Sequence, residues 1–192
     1  MRKNLYKVYL LLGSNKPFGK LSSREIIEEA DKLLLEALLP DYLEVDSLEE
    51  VADTSEILEN EPIGEFEPEY DKENKPIPTG NFFNQVLMCQ THKEPLDVLD
   101  ECLRVEEIFG RERPYKVKGL VYHSRTLDVD ILRIFRADKK GDKNLNKDLS
   151  WRELSINEKR LQVPHPKIVE RPFIKQLTLS GERKTKAGKK AK

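Results

Sequence analysis

Two aspartates in the second half of the chain have the spacing of a cation site. They lie in the run Arg125-Thr126-Leu127-Asp128-Val129-Asp130-Ile131-Leu132. This run predicts a strand, and because successive strand side chains point to opposite faces, Asp128 and Asp130 share one face. Mg2+ prefers oxygen ligands and keeps water and phosphate oxygens in its shell. The pair therefore indicates a magnesium site, and the alternative is a solvated strand face.

A basic loop precedes this strand. Its cationic side chains are Arg111, Arg113, Lys116 and Lys118, with Arg125 beyond them at the entrance to the strand. Guanidinium groups bind phosphate oxygens bidentately, and several of them can neutralise a triphosphate. Charge runs are also common on ordinary solvated surface. Beside two carboxylates, the loop favours a metal-nucleotide site.

Glu106 falls on the apolar face of a predicted helix over residues 95–109. On a helical wheel it lies inside the arc formed by Val98, Leu99, Cys102, Leu103, Val105 and Phe109. A carboxylate on a packing face is costly unless it is paired or liganded. We therefore expect a partner, either Arg125 or a ligand, and the alternative is a glutamate at the edge of the apolar stripe.

Three further polar or aromatic residues have patterns that suit a ligand. Phe82 and Asn84 share one face of a predicted strand, where an aromatic platform lies beside a group that both donates and accepts hydrogen bonds. That pair suits a flat heterocycle, although a core Phe and a strand-end Asn would look the same. His165 lies between two prolines and is a turn histidine unless Arg160 and Arg171 converge with it on phosphate.

The elements that must position these residues alternate between strand and helix. Strand patterns cover residues 5–12, 43–45, 54–58, 82–89 and 125–135, and helix patterns cover 22–38 and 95–109. The first helix begins at a capping box, Ser22 with Glu25, and ends before Pro40. Long loops are expected near 64–80, 110–124 and 136–158, and the first of them is expected to be exposed. This order predicts an α+β domain with helices packed on an antiparallel sheet.

Composition limits the class of protein. The chain has 192 residues and a net charge of -1, yet residues 33–71 hold 14 acidic and no basic side chains. The rest holds 34 basic against 21 acidic side chains, which is compatible with a polyanionic ligand. We expect one domain over 1–179 and a basic, disordered tail over 180–192. The two cysteines and the short apolar runs favour a cytoplasmic protein without membrane spans.

Taken together, the motifs resemble the 6-hydroxymethyl-7,8-dihydropterin pyrophosphokinase family. They occur in family order over roughly residues 5–177. The matching segments are Leu12-Gly13-Ser14-Asn15, Glu61-Pro62-Ile63-Gly64, Phe82-Phe83-Asn84-Gln85-Val86, Glu106 with Gly110-Arg111, the Arg125–Leu132 run, Val163-Pro164-His165-Pro166, and Arg171-Pro172-Phe173. The combination of the aspartate strand with the histidine and arginine segments is highly specific.

The resemblance implies a ferredoxin-like fold and transfer of diphosphate from ATP to the hydroxymethyl group of the pterin, with release of AMP. It implies that Asp128 and Asp130 bind two Mg2+ ions and that Arg111, Arg125 and Asp130 are catalytic. The implied ATP ligands are Glu106, Arg111, Arg125, Arg160, His165 and Arg171. The implied pterin contacts are Phe82, Asn84, Tyr122 and Phe173.

The sequence departs from the family pattern around the loops. Tyr122-His123-Ser124 replaces the family's usual Trp-Gly-Pro, Asn60 stands where Thr is common, and both loops that follow Gly64 and Arg113 are longer. Two alternatives stay open: a ferredoxin-like RNA-binding module, although its aromatic strand motif is absent, and an inactive relative kept as a binding protein. We expect a monomer that does not bind nucleic acid.

Overall fold

The structure, a computed structural model, describes residues 4–39, 51–113, 122–138, 150–168, 171 and 174. Ten strands lie in these residues: β1 (Tyr6–Ser14), β2 (Ala52–Thr54), β3 (Leu58–Asn60), β4 (Glu69–Tyr70), β5 (Pro76–Ile77), β6 (Phe82–Thr91), β7 (Asp128–Asp138), β8 (Ser150–Glu153), β9 (Ile156–Asn157) and β10 (Gln162–Val163). The described helices are α1 (Ser23–Leu38) and α2 (Pro95–Ile108), and a short 3-10 turn spans Pro166–Ile168.

The main sheet is antiparallel and has the order β2-β6-β1-β7-β8, with β3 also paired to β6. Helix α1 packs on β1 and β6, helix α2 packs on β7, and the two helices contact each other. The chain order β-α-β-β-α-β, with β6 and β1 at the centre, is that of a ferredoxin-like α+β fold. The predicted fold class is confirmed.

The main core lies between the helices and one face of the sheet. Ser22 caps α1, because its hydroxyl accepts a hydrogen bond from the Glu25 amide at 3.3 Å while the Glu25 carboxylate accepts one from the Ser22 amide at 2.8 Å. The predicted capping box is thus confirmed. Apolar side chains of both helices, including Ile27 and Val105, are fully buried against Leu10 and neighbouring strand residues. This core fixes the strands whose opposite face carries the polar residues.

Several predicted element boundaries differ from the observed ones. The strand predicted over 125–135 begins only at Asp128 and continues to Asp138, and the segment predicted as irregular, 136–158, also carries β8 and β9. The strand predicted over 54–58 is interrupted after Thr54, because the Ser55 hydroxyl accepts a hydrogen bond from the Val86 amide at 2.9 Å. The long loop over 64–80 contains the β4–β5 hairpin.

Some predictions lie outside the described residues. These are the strand over 43–45, the part of the basic loop with Lys116 and Lys118, the basic tail, and Phe173. The predicted end of the first helix before Pro40 is confirmed, because α1 ends at Leu38. In the part of the chain that the structure describes, no helix is both long enough and apolar enough to cross a membrane.

Candidate active site

The register of three neighbouring strands brings the polar residues together. Asn84 of β6 lies opposite Gly13 of β1, and Gly13 lies opposite Asp128 of β7. Two residues along, Leu11 lies opposite Asp130. Val129 points into the helix-side core, so strand alternation directs Asp128 and Asp130 to the other face, as predicted. The site therefore lies on the sheet face that the helices do not cover.

Gly13 separates the amide of Asn84 from the carboxylate of Asp128. A Cβ atom at Gly13 would lie 3.1 Å from Asn84 Oδ1, which is tighter than an ordinary contact. Asn84 is buried, and its Nδ2 donates a hydrogen bond to Asn60 Oδ1 at 2.7 Å. The glycine thus leaves room on the floor of the site between a hydrogen-bonding amide and a carboxylate.

Asp128 is held by two guanidinium groups. Arg125 Nη1 donates to Asp128 Oδ2 at 2.5 Å, and Arg111 Nη2 donates to Oδ1 at 3.3 Å. Burial by itself raises the pKa of this carboxyl, but the charges of Arg125, Arg111 and Arg171 outweigh it, so the pKa lies below its ordinary value. Asp128 is therefore ionised at neutral pH.

Asp130 is paired with two residues from the end of the described chain. Arg171 Nη1 donates to Asp130 Oδ2 at 3.0 Å, and His165 Nε2 lies 3.5 Å from Oδ1. The His165 amide donates to the Leu132 carbonyl at 2.9 Å, which ties this segment to β7. Burial lowers the pKa of His165, with Arg171 and Lys167 adding to the effect, although Asp130 opposes it. The imidazole is therefore neutral at neutral pH.

Glu106 is buried on the packing face of α2, as predicted, with a side-chain exposure of 3%. Its Oε1 accepts a hydrogen bond from the Val129 amide at 2.8 Å, and its Oε2 is paired with Arg113. The partner is thus Arg113 and not Arg125. Burial and the nearby Asp128 raise the pKa of Glu106, while the Val129 amide and Arg113 oppose that rise. Glu106 therefore holds the backbone amide of Val129, the residue between the two aspartates.

Aromatic side chains form the other side of the site. The Phe66 ring lies 5.7 Å from the Phe82 ring and 5.7 Å from the Tyr122 ring, measured between centroids. The Arg125 guanidinium lies 5.4 Å from the centre of the Phe82 ring, and Lys167 Nζ lies 5.6 Å from that of Tyr122. Aromatic faces and cationic groups therefore adjoin, which suits a ligand with both a flat ring and an anionic part.

One cavity of about 240 Å³ unites these two sides. Its lining residues are Leu11, Gly13, Asn60, Ile63, Phe66, Phe82, Asn84, Tyr122, Arg125, Asp128, Asp130, Lys167 and Arg171. Beside it, the buried Nε atoms of Arg111 and Arg125 have no hydrogen-bond partner among the described residues. Buried donors are normally satisfied, so an anionic ligand is the natural partner for these two.

The structure assembles most of the predicted site, and two predicted residues, Glu106 and Arg160, lie outside the cavity lining. Phe82, Asn84, Tyr122, Arg125, Asp128, Asp130 and Arg171 line the cavity, and Arg111 and His165 contact its two aspartates. Arg160 does not line the cavity and pairs with Asp100 of α2 at the surface. In the free protein its guanidinium therefore does not converge with His165.

Sequence reasoning gave no site role to six of the lining residues, which are Leu11, Gly13, Asn60, Ile63, Phe66 and Lys167. Of these, Phe66 and Lys167 are the two that carry an aromatic ring or a charge. Phe66 lies in the segment predicted as a long exposed loop, where its aromatic character was the one available signal. Lys167 lies two residues after His165, and its position in that segment could have indicated it. Both depend on how distant loops meet, which local patterns do not encode.

The two aspartates fit Mg2+ by their chemistry. They supply only oxygen ligands from one strand face, and Asp128 is held ionised. Within the described residues, no group of three or more His, Cys, Asp or Glu side chains has the arrangement of a metal site. Water and phosphate oxygens would therefore complete the shell of a cation bound here, which is usual for Mg2+.

Known proteins that resemble this chain are named either for a pterin pyrophosphokinase activity or for folate synthesis. The chain is 28% identical to a 2-amino-4-hydroxy-6-hydroxymethyldihydropteridine pyrophosphokinase of Porphyromonas gingivalis, over 88% of this chain and 85% of that protein. It is 32% and 26% identical to folate synthesis bifunctional proteins of Chlamydia caviae and Chlamydia trachomatis, over 52% of this chain in each case. The matched region spans only 17% and 18% of those two longer relatives.

The sequence model of one family covers most of the chain. That model, for 7,8-dihydro-6-hydroxymethylpterin-pyrophosphokinase, matches residues 9–180 and includes every lining residue of the cavity. The resemblance predicted from the motifs is confirmed. This chain belongs to the 7,8-dihydro-6-hydroxymethylpterin-pyrophosphokinase family.

Proposed function

We propose that this protein transfers diphosphate from ATP to the hydroxymethyl group of 6-hydroxymethyl-7,8-dihydropterin and releases AMP, a step of folate synthesis. The observation that carries the proposal is the cavity itself. In it, an aromatic and amide side adjoins two carboxylates and several guanidinium groups. The activity in the name of the Porphyromonas relative, which this chain matches over most of its length, supports the same reaction.

The aromatic side is proposed to bind the pterin. Phe82 offers a ring face, Tyr122 a second aromatic wall, and Asn84 a buried amide that both donates and accepts hydrogen bonds. A pterin is a flat heterocycle with a donor and acceptor edge, so stacking and edge recognition suit it. Phe173 stays a predicted pterin contact.

The cationic side is proposed to bind the phosphates of ATP. Arg111, Arg125 and Arg171 already contact the two aspartates, and His165 lies beside Asp130. Guanidinium groups bind phosphate oxygens bidentately and stabilise the charge that develops during transfer. The side chains of Glu106 and Arg160 are paired with other residues in the free protein. Their role as ATP ligands therefore stays a prediction.

The reaction needs positioning more than covalent chemistry. The pterin hydroxyl oxygen attacks the β-phosphorus of ATP, the bond from that phosphorus to the α,β-bridging oxygen breaks, and AMP leaves. Asp128 and Asp130 would hold Mg2+, two ions by family resemblance, and Mg2+ bound there would neutralise phosphate charge. Arg111 and Arg125 are proposed to stabilise the transferred group, and Asp130 to accept the hydroxyl proton.

The test is AMP release from the purified chain. We expect AMP to form only when ATP, Mg2+ and the hydroxymethyl dihydropterin are all present. Asp128→Ala and Asp130→Ala should each lower the rate by at least about a hundredfold, the scale of losing one charge-stabilising group. A folded protein that releases no AMP would refute the function, and activity retained in both variants would refute the metal assignment.

The same assay separates the two alternatives. An RNA-binding module would bind RNA in a salt-sensitive way without ATP turnover, and an inactive relative would bind pterin or nucleotide without turnover. The family match and the intact pair Asp128 and Asp130 favour the enzyme. The monomeric state and the cytoplasmic location stay predictions.

A further inference from the structure

Phe66 belongs to the long loop between β3 and β6. The loop over residues 64–80 carries the β4–β5 hairpin, and it was expected to be exposed. Phe66 is instead half-buried and lines the cavity. The centroid of its ring lies 5.7 Å from the ring centroids of two proposed pterin contacts, Phe82 and Tyr122. This loop therefore delivers an aromatic side chain to the proposed pterin side of the site.

The backbone on both sides of Phe66 is fixed to the segment that carries Tyr122. The Tyr122 amide donates to the Glu65 carbonyl at 2.8 Å, and the Glu67 amide donates to the Tyr122 carbonyl at 2.8 Å. The Glu67 carboxylate lies 2.8 Å from His123 Nδ1. Phe66 is thus bracketed by polar contacts and is held in place before any ligand arrives.

Two further contacts anchor the same loop. Gly64 has a φ of +103°, and a Cβ there would lie 2.8 Å from the Tyr122 ring, so only glycine allows this turn against the ring. Further along, Lys16 Nζ pairs with the Glu69 carboxylate at 3.0 Å and ties the hairpin to the segment after β1. The loop is therefore docked at its start and at its hairpin.

The spacing of the rings determines how a ligand meets Phe66. A flat ring inserted between two others needs about 7 Å, twice the contact distance of about 3.5 Å between carbon atoms. The 5.7 Å from Phe66 to Phe82 is too short for that, and the two ring planes are tilted by 51°. The edge of a heterocycle stacked on Phe82 would therefore contact the Phe66 ring.

We propose that Phe66 is a third aromatic pterin-binding residue of this chain, which contacts the edge of the heterocycle stacked on Phe82 and limits the width of the ring system accepted. The proposal rests on the proposed function, because that function identifies the heterocycle. It adds a residue from the loop between β3 and β6 to the contacts implied by family resemblance.

The experiment is a binding titration of the full chain with 6-hydroxymethylpterin in the presence of a non-hydrolysable ATP analogue and Mg2+. Loss of one aromatic contact to a heterocycle typically weakens binding about tenfold, so Phe66→Ala should raise the pterin Kd by about tenfold. The Kd of the ATP analogue should stay within about twofold, because the phosphate ligands are untouched. Tyr70→Ala is the matched control, since Tyr70 is an exposed aromatic of the same loop outside the cavity lining.

Phe66→Leu separates aromatic contact from filled volume. A weakened pterin Kd in both Phe66 variants, with Tyr70→Ala unchanged, supports the proposal. A wild-type pterin Kd in either Phe66 variant, or an equal loss of ATP-analogue affinity, overturns it. AMP release by the wild type is measured in parallel, so an active wild type with an unaffected Phe66→Ala variant refutes this inference alone. A wild type that binds neither ligand refutes the proposed function instead.

Discussion

Asp128→Asn tests how strongly the arginines hold the first aspartate in the free protein. The substitution keeps the side-chain shape, but it removes the charge and turns one oxygen into an NH2 group that faces a guanidinium donor. Hydrogen bonds to charged groups contribute about 1.5–3 kcal/mol each. The bond from Arg125 is short at 2.5 Å, whereas the bond from Arg111 is long at 3.3 Å. We therefore expect the free energy of unfolding to fall by about 3 kcal/mol.

A matched control is available on the surface. Asp100 is also paired with an arginine, Arg160, but the two side chains are 56% and 54% exposed, against 20% for Asp128 and 13% for Arg125. Exposed pairs contribute about 0–1 kcal/mol. Asp100→Asn should therefore lower the free energy of unfolding by less than about 1 kcal/mol. Urea unfolding at pH 7, followed by circular dichroism, measures both variants.

The acid dependence of stability adds a second readout. The pKa of Asp128 in the folded protein lies below its ordinary value, since the three nearby arginines outweigh burial. The ionised Asp128 therefore contributes its full stabilisation of the folded protein above the unfolded pKa of about 3.9. That stabilisation is lost as the pH falls through the folded pKa. Below about pH 4, wild type should lose stability more steeply than Asp128→Asn. Equal losses in Asp128→Asn and Asp100→Asn at pH 7, or parallel acid profiles, would refute this electrostatic reasoning.

Three other substitutions test Gly13 on the floor of the site, the buried Glu106 and the surface residue Arg160. Gly13→Ala should raise the pterin KM about fivefold and leave the ATP KM unchanged, because the new methyl displaces the Asn84 amide by part of an ångström. Steady-state kinetics in which both KM values rise together would contradict this. Burial raises the pKa of Glu106 in the folded protein, so ionisation of this carboxyl opposes folding, and the wild type should lose stability as the pH rises above about 4.3. Glu106→Gln should make this loss smaller. A pH series of urea melts identical to that of wild type would disprove it. Arg160→Ala should change the free energy of unfolding by less than about 1 kcal/mol, since the pair with Asp100 is exposed. It should raise the ATP KM severalfold if the predicted phosphate contact forms. An unchanged ATP KM would remove Arg160 from the site.

Much of the fold follows from patterns within short stretches of sequence. The capping box at Ser22 and Glu25 starts α1, and alternation along β7 separates Val129 from the two aspartates, as predicted. The buried position of Glu106 also follows from its place on the helical wheel. Such features depend on residues a few positions apart, so the sequence alone predicts them.

Boundaries and partners are less accessible to such patterns. The strand of the two aspartates was predicted to begin at Arg125 but begins at Asp128, and the break at Ser55 depends on a hydrogen bond to Val86. The partner of Glu106 is Arg113, although Arg125 was the expected protein partner. In each case the outcome depends on contacts between segments, which periodicity does not describe.

The sequence by itself determined the residue types of the site, the strand face shared by Asp128 and Asp130, and the family to which the chain belongs. Only the tertiary structure decided which of the cationic residues meet the aspartates, that Arg160 pairs elsewhere, and that Phe66 reaches the cavity from the loop between β3 and β6. The physical reason is distance along the chain. Local geometry is encoded by neighbouring residues, whereas strand register and loop docking join segments tens of residues apart.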